Sequence, residues 1–320
     1  MDYRTAMVFG HEAGRVDRVG LITKEEHQRV LDGSRDVPKE RPAFSLPLAE
    51  VGISRKTVWA NIAGSRLPFD AALSVNLPAH RRGIHMSRIE EAISELFDQS
   101  FDDLRGYGVE LGRRMIKRQE ATSGKVSLSG KIPIFREASV SKERSLDAVD
   151  IMLEVLLSKK ADMIEERVII GAGVNHITAC PCTQVYNAAL FNSDEERYPY
   201  PTHSQRSHTT LSMESNRNYP TYQDILSCLE SALHVTQDLL KRPDEAEIVL
   251  KSHREPQFAE DTVRATAMEV ARRFGGKLPG NSKVIIESLS LESIHIHDVR
   301  CRTELTLAEI ENSRDVNGFG

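Results

Sequence analysis

Val149-Asp150-Ile151-Met152-Leu153-Glu154-Val155-Leu156-Leu157 places Val149, Ile151, Leu153, Val155 and Leu157 at strict period two. That spacing puts all five on one face of a long, half-buried β-strand, whereas a helix would spread them around its circumference. Residues 167–178 supply its partner strand. Upstream, runs at 57–63 and 69–77 read as a hairpin turning at Gly64-Ser65, followed by two helices. The first is capped at Ser87 and carries Ile89, Ile93, Leu96 and Phe97 on one stripe; the second spans 102–120, and 125–135 returns to strand. Downstream, Thr221 with Asp224 caps a helix over 222–240, and Pro256 opens another that ends at Gly275. Strands at 283–290 and 293–307 close the chain. The order is β-β-α-α-β-β, twice, which predicts an α+β fold. The expected division is an extension at 1–50, a first module at 51–138, a second at 139–310 and a tail at 311–320.

With 320 residues and 40% hydrophobic content, the chain can bury one large core or two ordinary ones. A formal charge of −5 provides no global basic field, which argues against binding nucleic acid through a polycationic surface. No apolar run approaches the roughly 20 residues of a membrane span, and Met1-Asp2-Tyr3-Arg4 opens no apolar signal core. Four sparsely placed cysteines read as thiols in a reducing compartment, so a cytoplasmic protein is expected.

Chemistry concentrates in Cys180-Pro181-Cys182 and, past a polar loop, Pro201-Thr202-His203-Ser204-Gln205-Arg206. Thiols, an imidazole and a guanidinium in so short a span suit a metal held beside an anionic substrate. Cys-Pro-Cys alone is not a closed zinc knuckle, and inert packing is the competing reading of the two thiols. Cys228 and Cys301 lie in apolar-periodic elements and read as packing residues. In Ser293-Ile294-His295-Ile296-His297-Asp298, a strand period sends both histidines to one face and both isoleucines to the other. They are either a proton-transfer or ligand pair, or exposed histidines on an edge strand. His203, in a turn before a strand at 207–214, is equally a surface residue or a site residue. Glu245, between helices, and Glu260, near a helix start where a carboxylate suits the dipole, read as structural from their local sequence.

Ala179-Cys180-Pro181-Cys182, Thr202-His203-Ser204-Gln205-Arg206, Lys241-Arg242-Pro243-Asp244-Glu245, Gln257-Phe258-Ala259-Glu260-Asp261 and Glu292-Ser293-Ile294-His295-Ile296-His297 occur in one order. Together with Asn76-Leu77-Pro78 and Gly83-Ile84-His85-Met86-Ser87-Arg88, they resemble the type IB GTP cyclohydrolases, most of all the archaeal MptA branch, over about residues 51–306. The resemblance implies tandem tunnelling-fold modules in a homotetramer with active sites at subunit boundaries. It implies GTP as substrate, and Cys180, His203 and Glu245 as ligands of a catalytic metal. The branch favours Fe2+, and the mixed sulfur, nitrogen and oxygen set also suits Zn2+ or Mn2+. Glu260 matches the carboxylate that holds the guanine edge, His295 and His297 an acid/base pair, and Glu292 their supporting carboxylate. Arg206, with Arg82 or Arg88, is expected at the phosphates. The MptA-like product is 7,8-dihydroneopterin 2′,3′-cyclic phosphate with formate and pyrophosphate, serving methanopterin or folate-type pterin synthesis; the bacterial-type alternative is the triphosphate. A nitrile-reducing relative that uses NADPH and a purine- or pterin-binding protein without turnover are the competing readings.

Overall fold

The 149–157 stretch forms the middle of β5 (Arg144–Lys160), which is hydrogen-bonded along both sides. One neighbour is β4 (Ser123–Glu137), from Ser123↔Ser158 to Glu137↔Arg144, and the other is β6 (Met163–Ala179), through pairs such as Leu153↔Ile170. The computed structural model describes residues 21–161, 163–191, 198–215 and 219–315. Among these residues the sheet continues through β2 (Ser65–Leu77) and β1 (Leu48–Ile62) on one side. On the other it continues through β7 (Ser204–Ser215), β8 (Lys283–Ser290) and β9 (Val299–Thr306). A two-residue strand, β3 (Ser100–Phe101), pairs in parallel with the end of β1, and every other pairing is antiparallel.

Val149, Ile151, Leu153, Val155 and Leu157 all enter the hydrophobic core, as their spacing requires. Helices α2 (Met86–Leu96), α3 (Leu104–Gln119), α5 (Tyr222–Ala232) and α7 (Ala259–Phe274) cover that face, contributing Ile89, Tyr107, Leu111, Leu229, Val270 and Phe274. Burial of each large side chain contributes about 1.5–3 kcal/mol. The fit is close where α3 crosses β5: a Cβ at Gly108 would collide with Leu153 and one at Gly112 with Leu157.

Element order completes the first β-β-α-α-β-β at β5 and begins the second at β6. The expected boundary at 138/139 falls instead in the β4–β5 turn, where Ala138 N–H donates to Glu143 O, because β5 pairs with β4 over fifteen register positions. The expected boundary at 50/51 lies inside β1. Ser87 lies within α2, whose N-cap is His85; Gln119 receives the His85 N–H and donates to its carbonyl, in place of a side-chain cap. Thr221 and Asp224 form the expected capping box, and Gly275 the expected C-cap. The segment after Cys180 is the helix α4 (Pro181–Phe191) rather than a polar loop. Of the expected tail, residues 311–315 continue α8 (Leu307–Asp315), which packs through buried Leu307 and Ile310. Of the expected extension, α1 (Lys24–Gly33) buries no residue, and 1–20 lie outside the described residues, as do 316–320.

A further helix, α6 (Arg242–Arg254), begins where Asp244 is buried under loop 140–141. One carboxylate oxygen accepts the Val140 and Ser141 N–H groups at 2.9 Å, and the other accepts the Lys241 N–H at 3.0 Å. Hydrogen bonds from Ser141, then from the Val140 and Lys241 backbones, hold this carboxyl far below its ordinary 3.8. A depressed carboxyl stabilises the fold above its unfolded pKa, and that contribution fades as pH falls through the folded value. Asp244→Asn is therefore expected to lower the thermal midpoint at pH 7, with the gap to wild type narrowing below pH 3.8. Parallel midpoint curves from pH 7 down to pH 2 would contradict this assignment.

Candidate active site

Three strands bring the site together. On the core face of β6, Ile170, Ala172 and Val174 are followed by His176 and Thr178; on β7, Met213 and Leu211 by Thr209 and Ser207; on β8, Val284 and Ile286 by Ser288 and Ser290. Pairing sets these positions abreast, as in Thr209↔Ser288 and Ser207↔Ser290, so one face changes from apolar to polar along a single line. The next positions on that face, Gln205 and Glu292, reach the site. Beyond them, β6 ends just before Cys180 and β7 begins just after His203, and Cys180 N–H donates to His203 O at 3.1 Å.

His203 Nδ1 lies 3.2 Å from Gln205 Oε1, Gln205 Nε2 donates to Glu292 Oε1 at 3.5 Å, and Ser290 Oγ donates to the same oxygen at 2.9 Å. A carboxylate only accepts, so the Gln205 amide nitrogen faces Glu292 and its oxygen faces His203. The His203 proton therefore sits on Nδ1, and Nε2 keeps the lone pair that a metal ligand or general base needs. Neither Gln205 nor this orientation was singled out by sequence reasoning, although Gln205 lies inside the quoted motif. His203 and His295 meet edge to face at 6.4 Å and 89°, and His295 stacks on His297 at 5.3 Å and 17°.

The two late histidines reach this cluster from a loop, not a strand. Residues 291–298 connect β8 to β9, whose pairing begins at Ser290↔Val299, and Leu291 N–H donates to Arg206 O at 3.0 Å. The expected apolar face is absent, because Ile294 and Ile296 are both exposed. Among the described residues nothing buries that face or holds the segment extended.

Of the remaining expected residues, Cys180 adjoins this cluster through its backbone, and the contacts of the others are made elsewhere. Cys180 is half-buried, with Thr183 Oγ1 3.7 Å from its sulfur. Glu245 is exposed on the first turn of α6, and among the described residues no three His, Cys, Asp or Glu side chains are gathered closely enough to hold a metal. Two of the three expected ligands, Cys180 and His203, are thus neighbours with suitable donor atoms, and the third is not brought to them within this chain. Arg206 is exposed and, next to Gln205 on the strand, faces the other side of the sheet. Arg88 donates to Arg118 O at 2.7 Å, and Arg82 faces Glu40 at 3.4 Å. Glu260 sits exposed in the first turn of α7. With Val263, Met268, Cys301, Leu305 and Ile310 it lines a cavity of about 740 Å³ between α7, β9 and α8.

A one-sided antiparallel sheet with paired helices, its polar strand ends converging on thiol, imidazole and carboxylate groups, defines a tunnelling-fold α+β enzyme. A uricase from Bacillus fastidious has the same fold, with TM-score 0.52 over 85% of this chain and 97% of its own at 7% identity. The chain belongs to the type I GTP cyclohydrolase folE2 family, whose model matches residues 35–301. It is 31% identical to the GTP cyclohydrolase MptA of Methanocaldococcus jannaschii over 302 residues, covering 86% of this chain and 96% of that protein. It is 28% identical to the MptA of Methanothermobacter thermautotrophicus over 313 residues, covering 89% and 98%.

The four cysteines are free and differ in environment. Cys182 is exposed in the first turn of α4, whereas burial pushes the Cys228 thiol up to about 12, with Glu269 adding to the rise. Burial, then Glu260, raises the Cys301 thiol as well. Because the thiolate is the reactive form, iodoacetamide is expected to alkylate Cys182 first and Cys228 last in native protein, read by peptide mass. Early labelling of Cys228 would contradict the packing described.

Proposed function

We propose that this chain is a metal-dependent GTP cyclohydrolase that opens the guanine imidazole ring. The products are formate, 7,8-dihydroneopterin 2′,3′-cyclic phosphate and pyrophosphate, and the setting is cytoplasmic pterin synthesis. The observation that carries the reading is the cluster of His203, His295 and His297 beside Cys180, in a chain of this family. The relatives' MptA name favours the cyclic phosphate. Among the described residues no helix is long and apolar enough to cross a membrane.

Cys180 and His203 would hold a divalent ion, Fe2+ in this reading, with Glu245 as third donor only where a second copy of the chain brings it to them. Such an ion supplies a water acidified toward neutral pH. His203 offers Nε2, fixed by Gln205 and Glu292 behind it. His295 and His297, exposed and stacked, take up and return protons as the ring opens, the ribose rearranges and the pterin closes. Glu260 accepts from the N1–H and exocyclic N–H of guanine and keeps the pyrimidine edge in place between steps. A hydroxyl of the substrate's own sugar-derived chain attacks the α-phosphorus and pyrophosphate leaves; Arg206, which faces the other side of the sheet from His203, would meet phosphate oxygens only at a boundary with a second copy.

A second copy of the chain completes the site in this reading, as a homotetramer with sites at subunit boundaries. Two features support it: the outer edge of β9 is unpaired among the described residues, and that of β1 is paired only at Asn61 and Ile62. Anaerobic incubation of Fe2+-loaded protein with GTP should yield one formate per turnover, with cyclic phosphate and pyrophosphate identified by mass. A triphosphate product would assign the folE2-type reaction instead. The Cys180→Ala, His203→Ala double variant should lose formate release and metal retention together; retention of formate release would overturn the metal assignment. Gln205→Leu should weaken metal retention on dialysis by about 10–100-fold, the usual effect of removing a group that orients a ligand histidine.

A further inference from the structure

Behind the site, four polar side chains form a continuous chain through the core. His176 Nε2 lies 2.8 Å from Thr209 Oγ1, which is 2.8 Å from Ser288 Oγ, which is 2.9 Å from Thr262 Oγ1, which is 2.7 Å from Ala259 O. All four side chains belong to fully buried residues and come from β6, β7, β8 and α7 in turn. The carbonyl at the end can only accept, so each single hydroxyl proton has one place to go. Thr262 donates to Ala259, Ser288 to Thr262, Thr209 to Ser288, and the His176 Nε2–H to Thr209. This order places the His176 proton on Nε2 and leaves Nδ1 as an acceptor, for which no donor lies within hydrogen-bond range among the described residues. Burial pushes His176 down to about 3, so the ring is neutral in the working range and the chain stays fixed in this direction.

Stability does not ask for such a chain. Buried hydroxyls gain little over apolar groups of the same shape and cost more when one partner is lost. In the first half of the sheet, the core face of β1, β2 and β4 uses Val58, Ala60, Phe69, Ala71 and Leu128. What the chain fixes is the height of the α7 N-terminus over the strands, and its last acceptor is the residue before Glu260.

We propose that Thr262, Ser288, Thr209 and His176 are positioning residues that set where Glu260 meets the substrate base, and so set selectivity for guanine. This rests on Glu260 as the guanine-edge carboxylate. The test is equilibrium binding of GTP and of inosine triphosphate, which lacks the exocyclic amine, to the metal-loaded full chain, alongside kcat and KM for formate release. Thr262→Val and Ser288→Ala are expected to weaken GTP binding about tenfold, the scale of one misplaced charge-assisted hydrogen bond, with little change for inosine triphosphate. KM should rise with kcat nearly unchanged, and Thr262→Ser should restore GTP preference. Glu260→Gln should remove the preference itself. If Glu260→Gln loses it while Thr262→Val and Ser288→Ala keep it, or lose only thermal midpoint, the positioning role is overturned and the Glu260 assignment stands. If Glu260→Gln keeps the preference, the Glu260 assignment falls and the proposal with it.

Discussion

The antiparallel register of β6, β7 and β8 is the constraint on which the site depends. Pairing fixes which residues are abreast, and the pleat fixes which face each one joins, so a slip of one residue would turn every group on that face to the other side. Ala179↔Ser204 and Ser207↔Ser290 put Gln205 and Glu292 on the same face at the end where Cys180 and His203 emerge. The apolar stretch of that face, Ile170, Ala172, Leu211 and Ile286, enforces the register because burying it is favourable only one way round. The polar stretch nearer the site then inherits a placement that it did not have to stabilise.

Electrostatics contribute in a different manner. The opposite face of the sheet carries Lys131 with Asp150 at 2.6 Å, His208 with Asp150 at 2.7 Å, Lys125 with Glu154 at 2.8 Å and Arg300 with Glu287 at 2.7 Å. Pairs of this exposure are worth about 0–1 kcal/mol each. Their effect is on solvation: a face lined with paired charges has little to gain by collapsing onto apolar surface. The sheet can stay open on that side while the helices close the other.

Legibility in the sequence followed from whether a signal was local. β5 could be read because five residues repeat a two-residue period, and the start of α5 and the end of α7 because caps are written within a few residues; α5 ends at Ala232, short of the expected 240, and α7 begins at Ala259, past Pro256. Ser87 failed as a cap because Gln119, on another helix, satisfies the backbone of His85. The strand expected through His295 and His297 failed because alternation specifies a strand only where something covers the apolar side, and Ile294 and Ile296 are uncovered. The motifs pointed to His203, Glu292 and the late histidines without showing how they meet. Gln205, which joins two of them, and the His176 chain became visible only once three strands separated by up to about a hundred residues lay side by side.

The loop at 291–298 holds two imidazoles yet joins the sheet framework through few bonds, its Leu291 N–H among them. Its composition is therefore nearly independent of the folding problem. A framework that must preserve register cannot tolerate insertions in β7 or β8, but it can accept a longer, shorter or differently charged loop between β8 and β9. Such separation lets one scaffold be retuned: descendants can acquire a different proton-transfer reaction, or lose it, by changing a few residues of a connector while their inherited architecture stays intact.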